Sequence, residues 1–185
     1  EPHIGKEDYH LSEDLADQAI KWIRQQQTST PDSPFFCYFA PPAVHAPHQA
    51  PKEWIDKYVG AFDDGWDALR EQIYKRQLNL GIIPEETQLT PRPEQIPSWD
   101  SYPDRYKPVA TRLMEVFAGF LAHTDAQIKR ILDCINETGC ADNTLVIYIT
   151  GDNGASAEGT VHGAWSAPSF QNGVHEDPEW LLEHI

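Results

Sequence analysis

Asp142-Asn143-Thr144-Leu145-Val146-Ile147-Tyr148-Ile149-Thr150-Gly151-Asp152-Asn153-Gly154 is the stretch that decides the fold. Five consecutive apolar residues, Leu145 to Ile149, bounded by turn formers predict a strand buried on both faces, as in a sheet covered by helices. The strand ends in Gly151-Asp152-Asn153-Gly154. In open α/β sheets ligands sit beyond the carboxyl ends of strands. Asp152 offers carboxylate oxygens and Asn153 a carbonyl oxygen, donors suited to a hard cation such as Ca²⁺ or Mg²⁺. The flanking glycines let the backbone turn tightly. The competing reading is a plain turn, because Asp, Asn and Gly are the commonest turn residues.

Upstream, Phe35-Phe36-Cys37-Tyr38-Phe39-Ala40 is a second apolar run bounded by prolines, and it predicts a second buried strand with Cys37 as a small buried hydrophobe. Pro41 to Pro51 follows, with four prolines that end any strand pairing. His45 and His48 sit in this stiff loop beyond the strand end. An imidazolium there can donate to an anionic group or protonate a leaving oxygen; the alternative is a histidine on an ordinary surface loop.

Helices fill the remainder. Residues 11–27 carry Leu15, Ala19, Trp22 and Ile23 at helical spacing, with Ser12 as the expected cap. Pro51 opens a short helix to Tyr58, with Lys52, Lys57 and Tyr58 as solvated positions. Another helix covers about 64–80, with Trp66, Leu69, Ile73 and Leu80 on one side. Residues 81–104 are a Pro-rich irregular excursion. A long helix spans about 105–137, with Phe117, Phe120, Leu121, Ile128, Ile131, Leu132 and Ile135 as its buried stripe and Gly139 as its stop. His123 reads as a satisfied residue of that helix, and His162 and His175 receive no role. Residues from Asp152 to about Asp177 read as loop, and Pro178 opens a last helix. Helices alternating with two uninterrupted apolar strands give an α/β pattern. Two strands do not make such a sheet, so its other strands are expected outside this sequence.

The chain has 185 residues, 40% of them hydrophobic, with six Trp, seven Tyr and seven Phe, enough for a packed core. Its net charge of −15 argues against non-specific binding to nucleic acid or to an anionic membrane. It does not exclude an anionic substrate, since a bound cation makes a local positive site in an acidic shell. No run of residues is long and apolar enough to span a membrane. Cys37, Cys134 and Cys140 form no CxxC pair, which argues against a zinc site. Asn136-Glu137-Thr138 fits the glycosylation pattern, a triplet that also arises by chance. No Gly-x-Ser-x-Gly elbow and no Gly-rich phosphate loop occurs.

Three blocks together resemble the type I sulfatases of the alkaline-phosphatase-like superfamily. They are His10-Leu11-Ser12-Glu13-Asp14-Leu15-Ala16-Asp17-Gln18-Ala19; Pro34 to Ala40 followed by Val44-His45-Ala46-Pro47-His48-Gln49-Ala50-Pro51; and Asp142 to Ala155. The resemblance implies an α/β sandwich with a mostly parallel sheet between helices, of which residues 1–185 are the central segment of one catalytic domain, cut at both ends. It implies hydrolysis of sulfate esters, small-molecule or glycan, by a formylglycine nucleophile, with a divalent cation, usually Ca²⁺, polarising the sulfate oxygens. Asp152 and Asn153 match two metal ligands. His45 matches the histidine that hydrogen-bonds the sulfate, and His48 lies just beyond the matched position. None of the three cysteines is followed by the Pro and Arg of the formylglycine motif, so the nucleophile is expected outside this chain. A periplasmic, secreted or lysosomal setting follows only from the resemblance. The rival readings are a phosphate or phosphonate ester hydrolase of the same superfamily, and a non-catalytic calcium-binding module.

Overall fold

A computed structural model describes residues 9–151 and 159–185. Its elements are α1 (Leu11–Ser29), α2 (Lys52–Ile55), α3 (Gly65–Asn79), α4 (Lys107–Glu137), α5 (Ala167–Gln171) and α6 (Pro178–His184). Short 3₁₀ turns lead out of α2, into α4 and into the 144–150 segment.

The scaffold is α1 lying along α4. Ala16 and Ile23 of α1 interlock with Ile131, Cys134 and Ile135 of α4, and Ala19, Ile20, Phe35, Phe39 and Leu132 close around them. Arg24–Glu137 at 2.9 Å and Arg130–Asp17 bridge the same two helices at their rims. These pairs are largely exposed, so they orient the helices more than they stabilise them.

Helix ends follow local chemistry. α1 carries Glu13 and Asp14 in its first turn, where the helix dipole favours negative charge. Its cap is not Ser12, which is buried. The His10 side chain accepts the Ser12 N–H instead. α4 has Pro108 in its first turn and is followed by Gly139 at φ +74°, a left-handed position that suits glycine. Asp177 caps α6 through the N–H groups of Glu179 and Trp180.

The buried residues of α4 are Val109, Glu115, Val116, Gly119, Phe120, His123, Thr124, Gln127, Ile131, Cys134 and Ile135. Of the expected stripe Phe120, Ile131 and Ile135 are buried, Phe117, Ile128 and Leu132 half-buried, and Leu121 exposed. Gly119 lets α2 come close: a Cβ there would stand 2.8 Å from the Ile55 backbone. Glu115, buried on the same helix, accepts the Gly60 N–H and the Arg112 guanidinium, which fixes the chain after α2. On the expected apolar side of α3, Trp66 and Leu69 are half-buried, while Ile73 and Leu80 are exposed.

The excursion at 81–104 has no regular structure, yet α3 holds it down. Tyr74 donates to Thr87 O at 2.6 Å, Arg70 to Thr90 O at 2.6 Å, and Trp66 Nε1 to Pro97 O at 3.0 Å. Asp67 accepts Arg92 and the Trp99 N–H, which together hold its carboxyl below the usual range, the Trp99 bond most of all. The excursion ends in an aromatic cluster of Trp66, Trp99, Tyr102 and Tyr106, with His162 stacked on Tyr106.

The two expected strands are not formed in this structure. No strand forms among the described residues, and Phe35–Ala40 and Thr144–Thr150 run as unpaired chain. Phe36 is 86% exposed, Leu145 86% and Ile149 84%, and Cys37 is exposed too, not buried. A strand exists only by pairing its N–H and C=O groups with a neighbour. Among the described residues neither segment pairs with another, so most of the apolar side chains that a covered sheet would bury face outward, while Phe35 and Phe39 pack on the α1–α4 core.

Candidate functional site

The histidine loop, residues 41–51, is held at the N-terminal end of the α1–α4 pair. Its prolines remove N–H donors, so its backbone bonds are local: His45 N–H to Pro42 O at 3.0 Å, and the N–H groups of Trp54 and Ile55 to Pro51 O. Side chains supply the remaining anchorage. His48 sets its ring edge-on against Phe117 and Phe120 of α4, at 5.6 and 6.3 Å between centroids. Burial pushes its pKa below the ordinary histidine value. The nearby His45 adds to that, and a hydrogen bond with the Val44 backbone opposes it.

His45 is exposed. Its Nδ1 lies 2.7 Å from Ala46 O. A carbonyl oxygen only accepts, so Nδ1 carries the hydrogen and Nε2 is left over for another partner. In the imidazolium form that Nε2 is a second N–H donor, the arrangement needed to hold an anionic oxygen.

Behind the loop lies a cluster that sequence reasoning did not assemble. His10 accepts the Ser12 N–H at Nδ1 (3.2 Å), and its Nε2 is 2.7 Å from Gln49 O. Its ring packs edge-on to His123 (4.3 Å) and Phe120 (6.0 Å). His123 is fully buried, touches Trp54, and sets Nε2 2.9 Å from Glu13 Oε1 and 3.3 Å from Gln127 Nε2. The expectation of a satisfied His123 holds for one nitrogen only: Nδ1 is buried without a partner. The available signal was a histidine directly ahead of the acidic first turn of α1.

Asp152 and Asn153, the expected metal ligands, lie outside the described residues. Among those described, no group of three or more His, Cys, Asp or Glu side chains is arranged to hold a metal ion. No described helix is long and apolar enough to cross a membrane.

A family model described as Sulfatase matches residues 1–179. The chain is 34% identical to an arylsulfatase of Klebsiella aerogenes over 151 residues, covering 81% of this chain and 31% of that protein. It is 35% identical to an uncharacterized sulfatase of Schizosaccharomyces pombe over 162 residues, covering 86% of this chain and 28% of that protein. The chain thus spans about a third of the length of these curated relatives.

Proposed function

The chain belongs to the sulfatase family, and on that footing we propose that it forms part of a sulfuric ester hydrolase of the arylsulfatase type. In this reading the two exposed segments, Phe35–Ala40 and Thr144–Thr150, are strands of a mostly parallel sheet between helices in the full-length protein, which the family's α/β fold supports. The observation that carries the reading is the His45 loop. It follows the first of these segments, and among the described residues its histidine has one ring nitrogen without a hydrogen-bond partner.

In this reading His45, with Nδ1–H given to Ala46 O, turns Nε2–H toward a sulfate oxygen and stabilises charge there as the ester bond breaks. His48 braces the loop against α4. Asp152 and Asn153 follow the second segment, where their oxygens suit a hard cation, Ca²⁺ or Mg²⁺. Such a cation would supply Lewis-acid polarisation of the sulfate oxygens. Two side chains fall short of the six to eight oxygens that Ca²⁺ takes, so further ligands come from elsewhere in the protein. The nucleophile, a formylglycine in this reading, also lies outside residues 1–185. The isolated chain is therefore inactive toward sulfate esters.

The test is an aryl sulfate assay on the full-length protein. His45→Ala lowers kcat by about 10²-fold or more, the scale of a lost charge-stabilising donor, and His48→Ala does clearly less. Asp152→Ala abolishes turnover and removes bound Ca²⁺ measured by elemental analysis. Preferred turnover of phosphate or phosphonate esters would replace the sulfatase reading by that of an esterase of the same superfamily. Calcium binding without any ester hydrolysis would leave a binding module.

A further inference from the structure

Besides the packing of His48 on α4, the loop that carries His45 is hydrogen-bonded to a distant element through the His10 side chain. His10 Nδ1 accepts a backbone N–H, that of Ser12, and its Nε2 faces a carbonyl oxygen, that of Gln49, at 2.7 Å. The first contact requires a lone pair on Nδ1 and the second a hydrogen on Nε2. Both are met only by the neutral Nε2–H form of the ring. The ring is further fixed edge-on to His123 and Phe120 of α4, and Phe120 also touches His48 from the loop side. Among the described residues no backbone hydrogen bond joins 41–50 to a distant element. The His10–Gln49 bond spans 39 residues and makes that link.

We propose that His10 is a positioning residue that fixes the 41–51 loop, and with it His45, to the start of α1 through its bond to the Gln49 carbonyl oxygen. This rests on the reading of His45 as the group that contacts the sulfate. One ring serves as helix cap and as loop tether, and these two roles separate by substitution. In His10→Asn the side-chain oxygen lies near the Nδ1 position and still caps α1, since Asn is among the best N-caps, but the side chain is too short for Gln49. In His10→Gln the amide nitrogen lies near the Nε2 position and still donates to Gln49, while the cap is lost.

The experiment measures kcat and KM for an aryl sulfate in the full-length protein, with hydrogen exchange of peptides covering 41–51 and the first turn of α1. Expected for His10→Asn is faster exchange in 41–51, unchanged exchange in α1, and kcat lowered about fivefold or more, the scale of one net hydrogen bond. His10→Gln restores kcat and loop protection while exchange at the start of α1 quickens. Wild-type loop exchange in His10→Asn overturns the tether. Loss of activity in both variants in step with α1 exchange reduces His10 to a cap and overturns the proposal as well. His45→Ala is run alongside. If it keeps full turnover, the reading of His45 has failed, and the loop-exchange arm still decides the tether. If His45→Ala is inactive and His10→Asn loosens the loop without touching kcat, positioning is refuted.

Discussion

His123 of α4 and Glu13 of α1 meet at 2.9 Å between Nε2 and Oε1, joining residues 110 apart in sequence. A carboxylate only accepts, so Nε2 carries the hydrogen, and the Gln127 amide at 3.3 Å adds nothing in that form. Nδ1 is buried with no hydrogen-bond partner among the described residues. An unsatisfied buried polar atom is costly, so the net stabilisation by this pair comes from its one good bond and from the ring's packing against Trp54 and His10.

His123→Ala removes the packing and leaves a cavity, and costs about 2–4 kcal/mol in urea unfolding. His123→Phe removes the orphaned nitrogen while keeping the volume, and costs clearly less. Equal losses would mean that the hydrogen bond to Glu13 dominates.

The approach of α2 to α4 depends on Gly119. Alanine normally helps a helix interior by up to about 1 kcal/mol. At Gly119 its Cβ would stand 2.8 Å from the Ile55 backbone, and overpacking of that kind costs about 1–3 kcal/mol. Gly119→Ala is therefore expected to lower the urea midpoint, with a net cost of up to about 2 kcal/mol once the full helix gain is offset. A raised midpoint would show that α2 is not seated there.

His48 sets an acid limit. Burial lowers its folded-state pKa below the unfolded value of about 6.5. Between the two values the unfolded chain binds more protons, so stability falls as pH drops from about 6.5 through the folded pKa and levels off below it. Urea midpoints over this range, compared between the wild-type chain and His48→Gln, isolate the contribution. The wild-type chain should lose more stability on acidification, and parallel curves would refute the assignment.

Tyr102 sets an alkaline one. It is 2% exposed, and burial, then the neighbouring Tyr106, push its pKa up to about 12. Its O–H donates to Val161 O at 3.1 Å, and the His162 Nδ1–H donates to the phenol oxygen at 3.0 Å. The folded pKa lies above the unfolded value of about 10, so this contribution is intact below pH 10 and is lost as pH rises toward 12. Following phenolate absorbance, the last tyrosine to ionise should vanish in Tyr102→Phe. An unchanged titration would show that Tyr102 is not the buried phenol.

What rests on neighbours along the chain was readable from the sequence. Gly139 stops α4, Pro178 opens α6, and apolar spacing marks α1, because prolines and glycines act within a turn of backbone. The family was legible in the same way, in the blocks at 10–19, 34–51 and 142–155, and so was His45 as the candidate in the loop. Phe120, Ile131 and Ile135 of the α4 stripe were readable too, but the polar part of its buried face came from packing, because His123 and Gln127 enter the interior through partners from α1 and α4 itself. Only the tertiary structure decided that His10 caps α1 in place of Ser12, since the Gln49 carbonyl that helps hold the ring comes from 39 residues away. The 81–104 excursion reads as loose by composition, and α3 pins it through side chains whose targets no local pattern reveals. Leu145 to Ile149 marks the opposite limit. Its sequence carries the strand signal, yet pairing is a property of two chains side by side, and among the described residues no second strand lies beside it.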